Sequence, residues 1–297
     1  MDGAKRLTPQ IKDKREKRKD VESPSAMILV AASPLVTWGR KIMRLMFVGD
    51  VVAQCGCEFL GAKLHHLKSF YNVDITVVNG ENSACGNGIT RQSCEYLTQI
   101  GADVITTGNH AFKRRESVDI FEEVPHLVRP ANYPEGVIGR GVYELDMGRC
   151  QVAVVNLMGV VYMEPLGNPY QTMDKLLEDI STPNIIVDFH AEATAEKKAM
   201  GYYLDGRVTA VLGTHTHVQT ADEQILAGGT AYITDTGMTG PEESVLGVAK
   251  ELAIEKQRLN FPTRFVEAAT TCFINAVVVD FDEKTGRARS IERVIAR

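Results

Sequence analysis

Short apolar runs recur along this chain from residue 44 onward, and a polar residue follows several of them directly. Amphipathic stretches separate the runs, and this alternation is typical of a layered α/β fold. Eight runs are predicted strands, at residues 44–49, 74–79, 103–107, 151–157, 184–189, 208–213, 230–234 and 273–281. In such folds the ligand-binding side chains lie in the loops that follow the strands. The reactive residues are therefore expected in those loops.

Helices are predicted between the strands, at residues 58–70, 90–100, 114–121, 171–180, 193–202 and 244–257. With 297 residues, of which 44% are apolar, the chain can bury a large core. Residues 43–297 are predicted to form the folded domain. Segments 159–170 and 236–264 break the α/β alternation and contain Gly and Pro, so they are predicted to be lids over a site.

The first 42 residues differ in composition from the rest of the chain. They contain ten basic and five acidic residues, so the other 255 carry a net charge of −10. The acidic body argues against broad binding of polyanions. Residues 1–42 combine high charge with low hydrophobicity and are predicted to be a disordered extension.

The six cysteines include no Cys-x-x-Cys pair, which predicts reduced thiols and a cytoplasmic location. The apolar run over residues 26–38 is too short to span a bilayer and is interrupted by Pro34. No membrane association is therefore expected.

Five strand-end loops carry side chains suited to metal coordination. The candidate ligands are Asp50, Glu81, Asn82, Asn109, His190, His215 and His217. This mixture of oxygen and imidazole donors without thiolate suits iron, manganese or zinc. Two cations about 3.5–4 Å apart need a carboxylate bridge, and Glu81 is the predicted bridge.

The pair His215 and His217 is the most specific of these signals. On extended backbone, residues two apart project to the same side and can reach neighbouring metals. Two surface imidazoles on a strand would give the same pattern, but the four other polar loops favour a metal site. Because this pair comes last in the chain, the order does not fit the barrel hydrolases, in which it comes first. Phosphate-ester chemistry is the leading interpretation.

His110 directly follows a predicted ligand, so it can stand beside the metals and protonate a leaving alkoxide. It is the candidate general acid. The alternative is that it only hydrogen-bonds a carboxylate or a backbone carbonyl.

The residues around these ligands carry a resemblance to a known family. The segments are Gly49-Asp50-Val51-Val52, Asn79-Gly80-Glu81-Asn82, Gly108-Asn109-His110, the run from Asp188 to Thr194, and the run from Gly213 to Asp222. From Met43 to the C-terminus the chain resembles the YmdB-like family of bacterial calcineurin-type metallophosphoesterases. The resemblance implies a four-layer α/β/β/α sandwich, two metal ions that are iron or manganese, and hydrolysis of phosphodiesters, above all cyclic nucleotides.

The resemblance also implies a role for each residue. Asp50, Asn82 and His217 would hold one metal. Asn109, His190 and His215 would hold the other, with Glu81 between the two and His110 as the proton donor. The broader calcineurin-type pattern has a His where this chain has Val52, and Asn82 takes over that ligand position in the YmdB-like pattern.

The expected mechanism is in-line attack by a metal-bridging hydroxide, with His110 protonating the leaving group. The expected partner is a small-molecule phosphodiester, without a stable nucleic-acid partner, and homo-oligomerisation is left open. Three alternatives stay open. They are a phosphomonoesterase or nucleotidase with the same metals, a regulatory metal-binding protein with vestigial catalysis, and a nucleic-acid binder that uses the basic first 42 residues.

Overall fold

The structure is a computed structural model that describes residues 42–297. The predicted extension over residues 1–42 lies outside the described residues, except for Ile42, which begins the first strand. The strands are β1 (Ile42–Val48), β2 (Asp50–Val51), β3 (Ile75–Asn79), β4 (Val104–Thr106), β5 (Val142–Asp146), β6 (Gln151–Met158), β7 (Ile185–His190), β8 (Ala210–Thr214), β9 (Gln224–Ile225), β10 (Ala231–Ile233), β11 (Met238–Pro241), β12 (Cys272–Asp282) and β13 (Ala288–Ala296). The helices are α1 (Ala53–Tyr71), α2 (Arg91–Gln99), α3 (Ile120–Glu123), α4 (Pro169–Asp179), α5 (Thr194–Tyr203) and α6 (Lys250–Leu259).

The described strands form two sheets. The first has the order β2-β11-β12-β1-β3-β4, with β13 paired to β12, and the second has the order β5-β6-β7-β8-β10-β9. In the first sheet β1, β3 and β4 run parallel, and in the second β6, β7 and β8 run parallel. The carboxyl ends of each parallel set therefore lie along one edge of its sheet.

The two sheets pack face to face. Successive side chains of β1 point to opposite faces, so Leu45 and Phe47 join the layer between the sheets, whereas Met46 and Val48 face α1 and α2. Val154 and Ile186 enter the layer between the sheets from the second sheet. All these side chains are fully buried.

Helices cover both outer faces. Leu60 and Leu64 of α1 and Leu97 of α2 pack on the first sheet. Met173 of α4 and Met200 of α5 pack on the second. The layers are therefore α/β/β/α, which is the predicted sandwich.

Local capping sets several helix boundaries. The side chains of Thr90 and Ser93 cap the start of α2 reciprocally, which satisfies two backbone donors. Asn168 accepts hydrogen bonds from the first turn of α4, and Pro169 starts that helix. Asn72 ends α1 in the left-handed conformation.

All eight predicted strands are present, although their bounds shift by one or two residues at several ends. The five strands without a prediction are β2, β5, β9, β11 and β13. The predicted helix over residues 114–121 is wrong in part, because a 3-10 helix at Arg115–Ser117 precedes the short α3. Within segment 236–264, β11 is buried and pairs with β2 and β12, so it belongs to the sheet.

None of the helices within residues 42–297 is long and apolar enough to cross a membrane. All six cysteines lie in this part of the chain and are free thiols.

Candidate functional site

The predicted site residues come from loops and strand ends of both sheets. Asp50 lies in β2, Glu81 and Asn82 follow β3, and Asn109 and His110 follow β4. His190 is the last residue of β7, and His215 and His217 follow β8. Because the sheets face each other, the loops at the carboxyl ends of the parallel strands of both sheets come together.

Glu81 lies at the centre of the group and is 1% exposed. Its Oε1 lies 3.2 Å from Nδ1 of His110 and 3.3 Å from Nε2 of His190. Its Oε2 accepts a hydrogen bond of 3.0 Å from the backbone N–H of His110. Both carboxylate oxygens of Glu81 thus contact His110, and Oε1 also faces His190.

Two other donors gather around His190. The Nε2 atom of His190 lies 2.9 Å from Oδ1 of Asn109 and 3.1 Å from Nδ1 of His215. Ligand atoms of Glu81, His190 and His215 all lie within 4.8 Å of one another. These side chains form a cluster able to hold a metal ion.

A second group is joined to Glu81 by Asn82, whose Nδ2 donates to Glu81 Oε1 at 3.1 Å. The Nε2 atom of His217 lies 3.7 Å from Oδ1 of Asp50 and 3.2 Å from Nδ2 of Asn82. Asp50 is fully buried, and its Oδ1 has no hydrogen-bond partner. A buried carboxylate oxygen without a partner is costly, and a cation would satisfy it.

His110 stands at the rim of the site, with its side chain 22% exposed. Its Nδ1 lies 2.8 Å from Oδ1 of Asn82, which fixes the ring beside the candidate ligands. Asn82 therefore contacts His110 through one amide atom and His217 through the other. A half-turn of the amide exchanges these two atoms.

The electrostatics of the site favour positive charge near Glu81. Burial alone would raise the pKa of Glu81, but the charge of His190 and the hydrogen bonds of His110 and His190 hold that pKa well below its usual value. Burial opposes charge on His190, yet Glu81 raises the pKa of His190 to about 9. Burial and the neighbouring His190 lower the pKa of His215 to about 3.

The expectation that His215 and His217 lie on extended backbone is wrong. Both have positive φ, of 100° and 65°, so they lie in a loop of left-handed conformation. Asp50 Oδ2 accepts a hydrogen bond of 3.2 Å from the backbone N–H of His215. Such backbone is strained for a residue with a side chain and persists only where its surroundings hold it.

A buried ion pair anchors that loop, and the sequence did not reveal it. Lys197 Nζ donates to Asp235 Oδ2 at 2.6 Å and to the backbone oxygen of Thr214 at 2.7 Å. The same Asp235 oxygen accepts from the backbone and side chain of Thr216. Lys197 and Asp235 are at most 1% exposed. They fix the residues on both sides of His215.

A hydrogen-bond chain behind His190 was also missed. The Nδ1 atom of His190 lies 2.8 Å from Oγ1 of Thr214, which donates to Asp188 Oδ1 at 2.7 Å. Asn79 donates to the other oxygen of Asp188 at 3.0 Å. This arrangement directs Nε2 of His190 towards Glu81. The position of Asp188 within the otherwise apolar run of β7 could have indicated it, because a charged residue in a fully buried strand needs partners.

Two further contacts support the histidine rings. The Nε2 atom of His215 lies 3.1 Å from Oε2 of Glu192, and Nδ1 of His217 lies 3.1 Å from the backbone oxygen of Leu246. Gly108 allows the loop after β4 to approach His190, because an added Cβ would lie 2.2 Å from the ring.

The donor set fits two metal ions. The carboxylates, amides and imidazoles form two adjacent groups, and Glu81 contacts His190 of one and Asn82 of the other. Cations of intermediate hardness prefer this mixture of nitrogen and oxygen.

A family model and a curated relative match most of this chain. A family model described as YmdB-like protein matches residues 46–294. A 2′,3′-cyclic-nucleotide 2′-phosphodiesterase from Bacillus subtilis is 46% identical to this chain, over 85% of this chain and 97% of its own length.

Two solved structures show the same fold. A hypothetical protein from Thermus thermophilus is 39% identical, with a TM-score of 0.81 over 85% of this chain and 98% of its own. A protein from Mycoplasma pneumoniae, described as a novel phosphatase, is 32% identical, with a TM-score of 0.82 over 86% of this chain and 93% of its own. The chain therefore belongs to the YmdB-like family of metallophosphoesterases, as its motifs predicted.

Proposed function

We propose that this protein is a phosphodiesterase that uses two metal ions to hydrolyse cyclic nucleotides. The observation that carries the proposal is the convergence of oxygen and imidazole donors around the buried Glu81. The name of the Bacillus subtilis relative supports a 2′,3′-cyclic nucleotide as substrate.

In this proposal the metal ligands fall into two sets around Glu81. Asp50, Asn82 and His217 hold one ion, and the unpartnered Oδ1 of Asp50 supports this set. Asn109, His190 and His215 hold the other, which their short mutual distances support. Iron or manganese is the proposed metal. The mixed oxygen and imidazole donors without thiolate suit either one, and the resemblance to the YmdB-like family favours them over zinc.

Bound cations would neutralise the phosphate charge and make a bound water acidic enough to attack near neutral pH. The protein contributes the geometry for that chemistry. The strained loop with His215 and His217, held by Lys197 and Asp235, fixes two imidazoles before the substrate arrives. Such preorganised groups need no rearrangement during the reaction.

His110 is the proposed proton donor to the leaving oxygen. Its Nδ1 faces Asn82 and Glu81, whereas its Nε2 makes no hydrogen bond within residues 42–297. The ring is held by one nitrogen and can donate a proton through the other. Its partial exposure lets a leaving group reach it.

The test is a substrate screen with protein purified without chelators. It compares 2′,3′-cyclic and 3′,5′-cyclic nucleotides, a linear diester and the matching monophosphate. The proposal predicts faster hydrolysis of a cyclic nucleotide than of the monophosphate, and loss of that activity on chelation. Preference for the monophosphate would instead favour a phosphomonoesterase or nucleotidase with the same metals, and full activity after removal of all metal would refute the metal role.

A further inference from the structure

An open groove borders the site, and we call it the side groove. Asn82 and His217, both candidate ligands, are among the residues that line it. Val52, Leu246 and Phe265 line the remainder together with the neighbouring backbone. Because Asn82 and His217 line the groove and contact other site residues, a molecule held at the site can extend into the groove without a break.

The outer wall of the side groove is tied to the body of the protein. The backbone N–H of Gly86 donates to Glu267 at 2.7 Å, which joins the two sides of the groove. Ala249 N–H donates to Val266, and Ala268 N–H donates to Gly247, so this wall is a small hydrogen-bonded ladder. The groove is thus formed before any ligand binds.

Gly247 lets the wall lie against the groove floor. It has a φ of +96°, and an added Cβ would lie 2.6 Å from Cγ1 of Val52. Any other residue would move the wall away from the floor or strain the backbone.

The wall of the groove exposes large apolar side chains to solvent. Leu246 is 48% exposed, Phe265 49% and Val266 50%. A cluster of exposed apolar side chains beside a reactive site indicates a surface that a ligand covers. Asn87 and Glu267 add polar groups to the same groove.

A larger cavity lies elsewhere, between α1 and α2. It holds about 420 Å³ and is lined by Cys57, Ser83, Tyr96 and Arg114, among others. None of the eight candidate site residues lines it. A substrate that reacts at the metals would contact the side groove before that cavity.

We propose that the side groove binds the base of the nucleotide substrate, with the ring of Phe265 stacked on the base. This inference rests on the proposed function and adds the place where the nucleoside is recognised. In a 2′,3′-cyclic nucleotide the base is attached to the ribose carbon next to C2′. A phosphate at the metals therefore carries its base into the space immediately beside them, where the side groove lies.

Aromatic stacking suits the shape and charge of this groove. Every base has an uncharged π-face, so an exposed aromatic ring can hold any of them, with little discrimination among bases. Polar groups such as Asn87 can meet the base edge. The side groove would then raise affinity for nucleotides over diesters that lack a base.

The test compares adenosine 2′,3′-cyclic phosphate with methyl riboside 2,3-cyclic phosphate, which lacks the base. For the wild-type protein, KM should be on the order of tenfold lower for the substrate with the base, the scale of one stacking contact. Phe265→Ala should raise KM for the adenosine substrate to near that of the base-free one, with the main effect on KM and not on kcat. Phe265→Tyr should restore the wild-type preference.

Phe261→Ala is the matched control, because Phe261 is 58% exposed in the same part of the chain and does not line the groove. It should keep the wild-type preference. If Phe265→Ala keeps the wild-type preference for the substrate with the base, the inference is wrong. A change in the molecular mass of that variant in solution would also overturn it, because it would indicate that Phe265 lies in an interface between copies of this chain. If the wild-type protein hydrolyses neither substrate, the proposed function itself fails.

Discussion

The Nε2 atom of His190 lies 3.1 Å from the Nδ1 atom of His215 and 3.3 Å from Oε1 of Glu81. Two imidazole nitrogens this close attract each other only if a proton or a cation lies between them.

Manganese that binds between these groups should stabilise the folded state, so manganese added to the metal-free protein should raise its melting temperature. A ligand at 100 times its Kd that binds only the folded state adds about 2.7 kcal/mol to the free energy of unfolding.

The substitution His215→Gln should remove most of this stabilisation, as measured by thermal unfolding with and without manganese. His66→Gln is the control, because His66 is exposed on α1. Equal stabilisation of His215→Gln and the wild type would exclude His215 as a ligand.

Replacement of His110 by Ala should lower turnover by about 10²–10⁴-fold, the usual contribution of a general acid. The substitution keeps the backbone N–H that donates to Glu81, so the metal content should not change. Steady-state kinetics and elemental analysis of the same preparation measure the two effects. Unchanged turnover would remove His110 from the mechanism, and parallel loss of metal would make it a structural residue.

Lys197→Met should destabilise the protein by about 3–5 kcal/mol, because it leaves Asp235 buried without its cation. It should also weaken manganese binding, since the pair anchors the loop of His215 and His217. Urea unfolding and metal titration provide the measurements.

The neighbouring Lys198 provides the control for that substitution. Its amino group lies 3.3 Å from Asp222, and its side chain is 42% exposed. Lys198→Met should change stability by at most about 1 kcal/mol, as usual for a surface ion pair. If the two variants behaved alike, the buried pair would have no special role.

The free energy of unfolding should decrease as the pH falls below about 6.5, partly because of His126. Burial lowers the pKa of His126 in the folded protein, and its Nε2 lies 2.9 Å from Thr98 Oγ1. The unfolded chain then takes up the proton more readily than the folded one. The stability that neutral His126 contributes is present above the unfolded pKa of about 6.5 and is lost as the pH falls through the lower, folded pKa.

Urea unfolding at about pH 7.5 and 5.5 measures this loss. His126→Gln should reduce the difference between the two pH values, whereas the exposed His66→Gln should leave it as in the wild type. A difference as large in His126→Gln as in the wild type would show that the linkage lies elsewhere.

The sequence predicts the strands that are continuous apolar runs better than those that contain charged residues, Gly or Pro. The buried β3 and β7 are apolar runs and are easily recognised. The edge strand β13 has many exposed and charged residues, and β11 contains Gly240 and Pro241. Their pairing depends on distant strands, such as β12, and not on local composition.

The candidate site was predictable where a chemically distinctive residue follows a buried strand, as at Asp50 and His190. The residues that support the site were not predictable from the sequence. Helical period places Lys197 on the buried face of α5, three residues before the buried Met200, but the sequence does not show which residue would pair with a buried lysine. Only the tertiary structure brings Asp235 to Lys197 and makes the pair part of the site.

The central claim is that the loops hold two metal ions, one on each side of Glu81. The most direct measurement is anomalous diffraction from crystals of the manganese-loaded protein. The account predicts two peaks about 3.5–4 Å apart that flank the Glu81 carboxylate, one near Asp50 and His217 and the other near His190 and His215. A single peak, or peaks remote from Glu81, would contradict it.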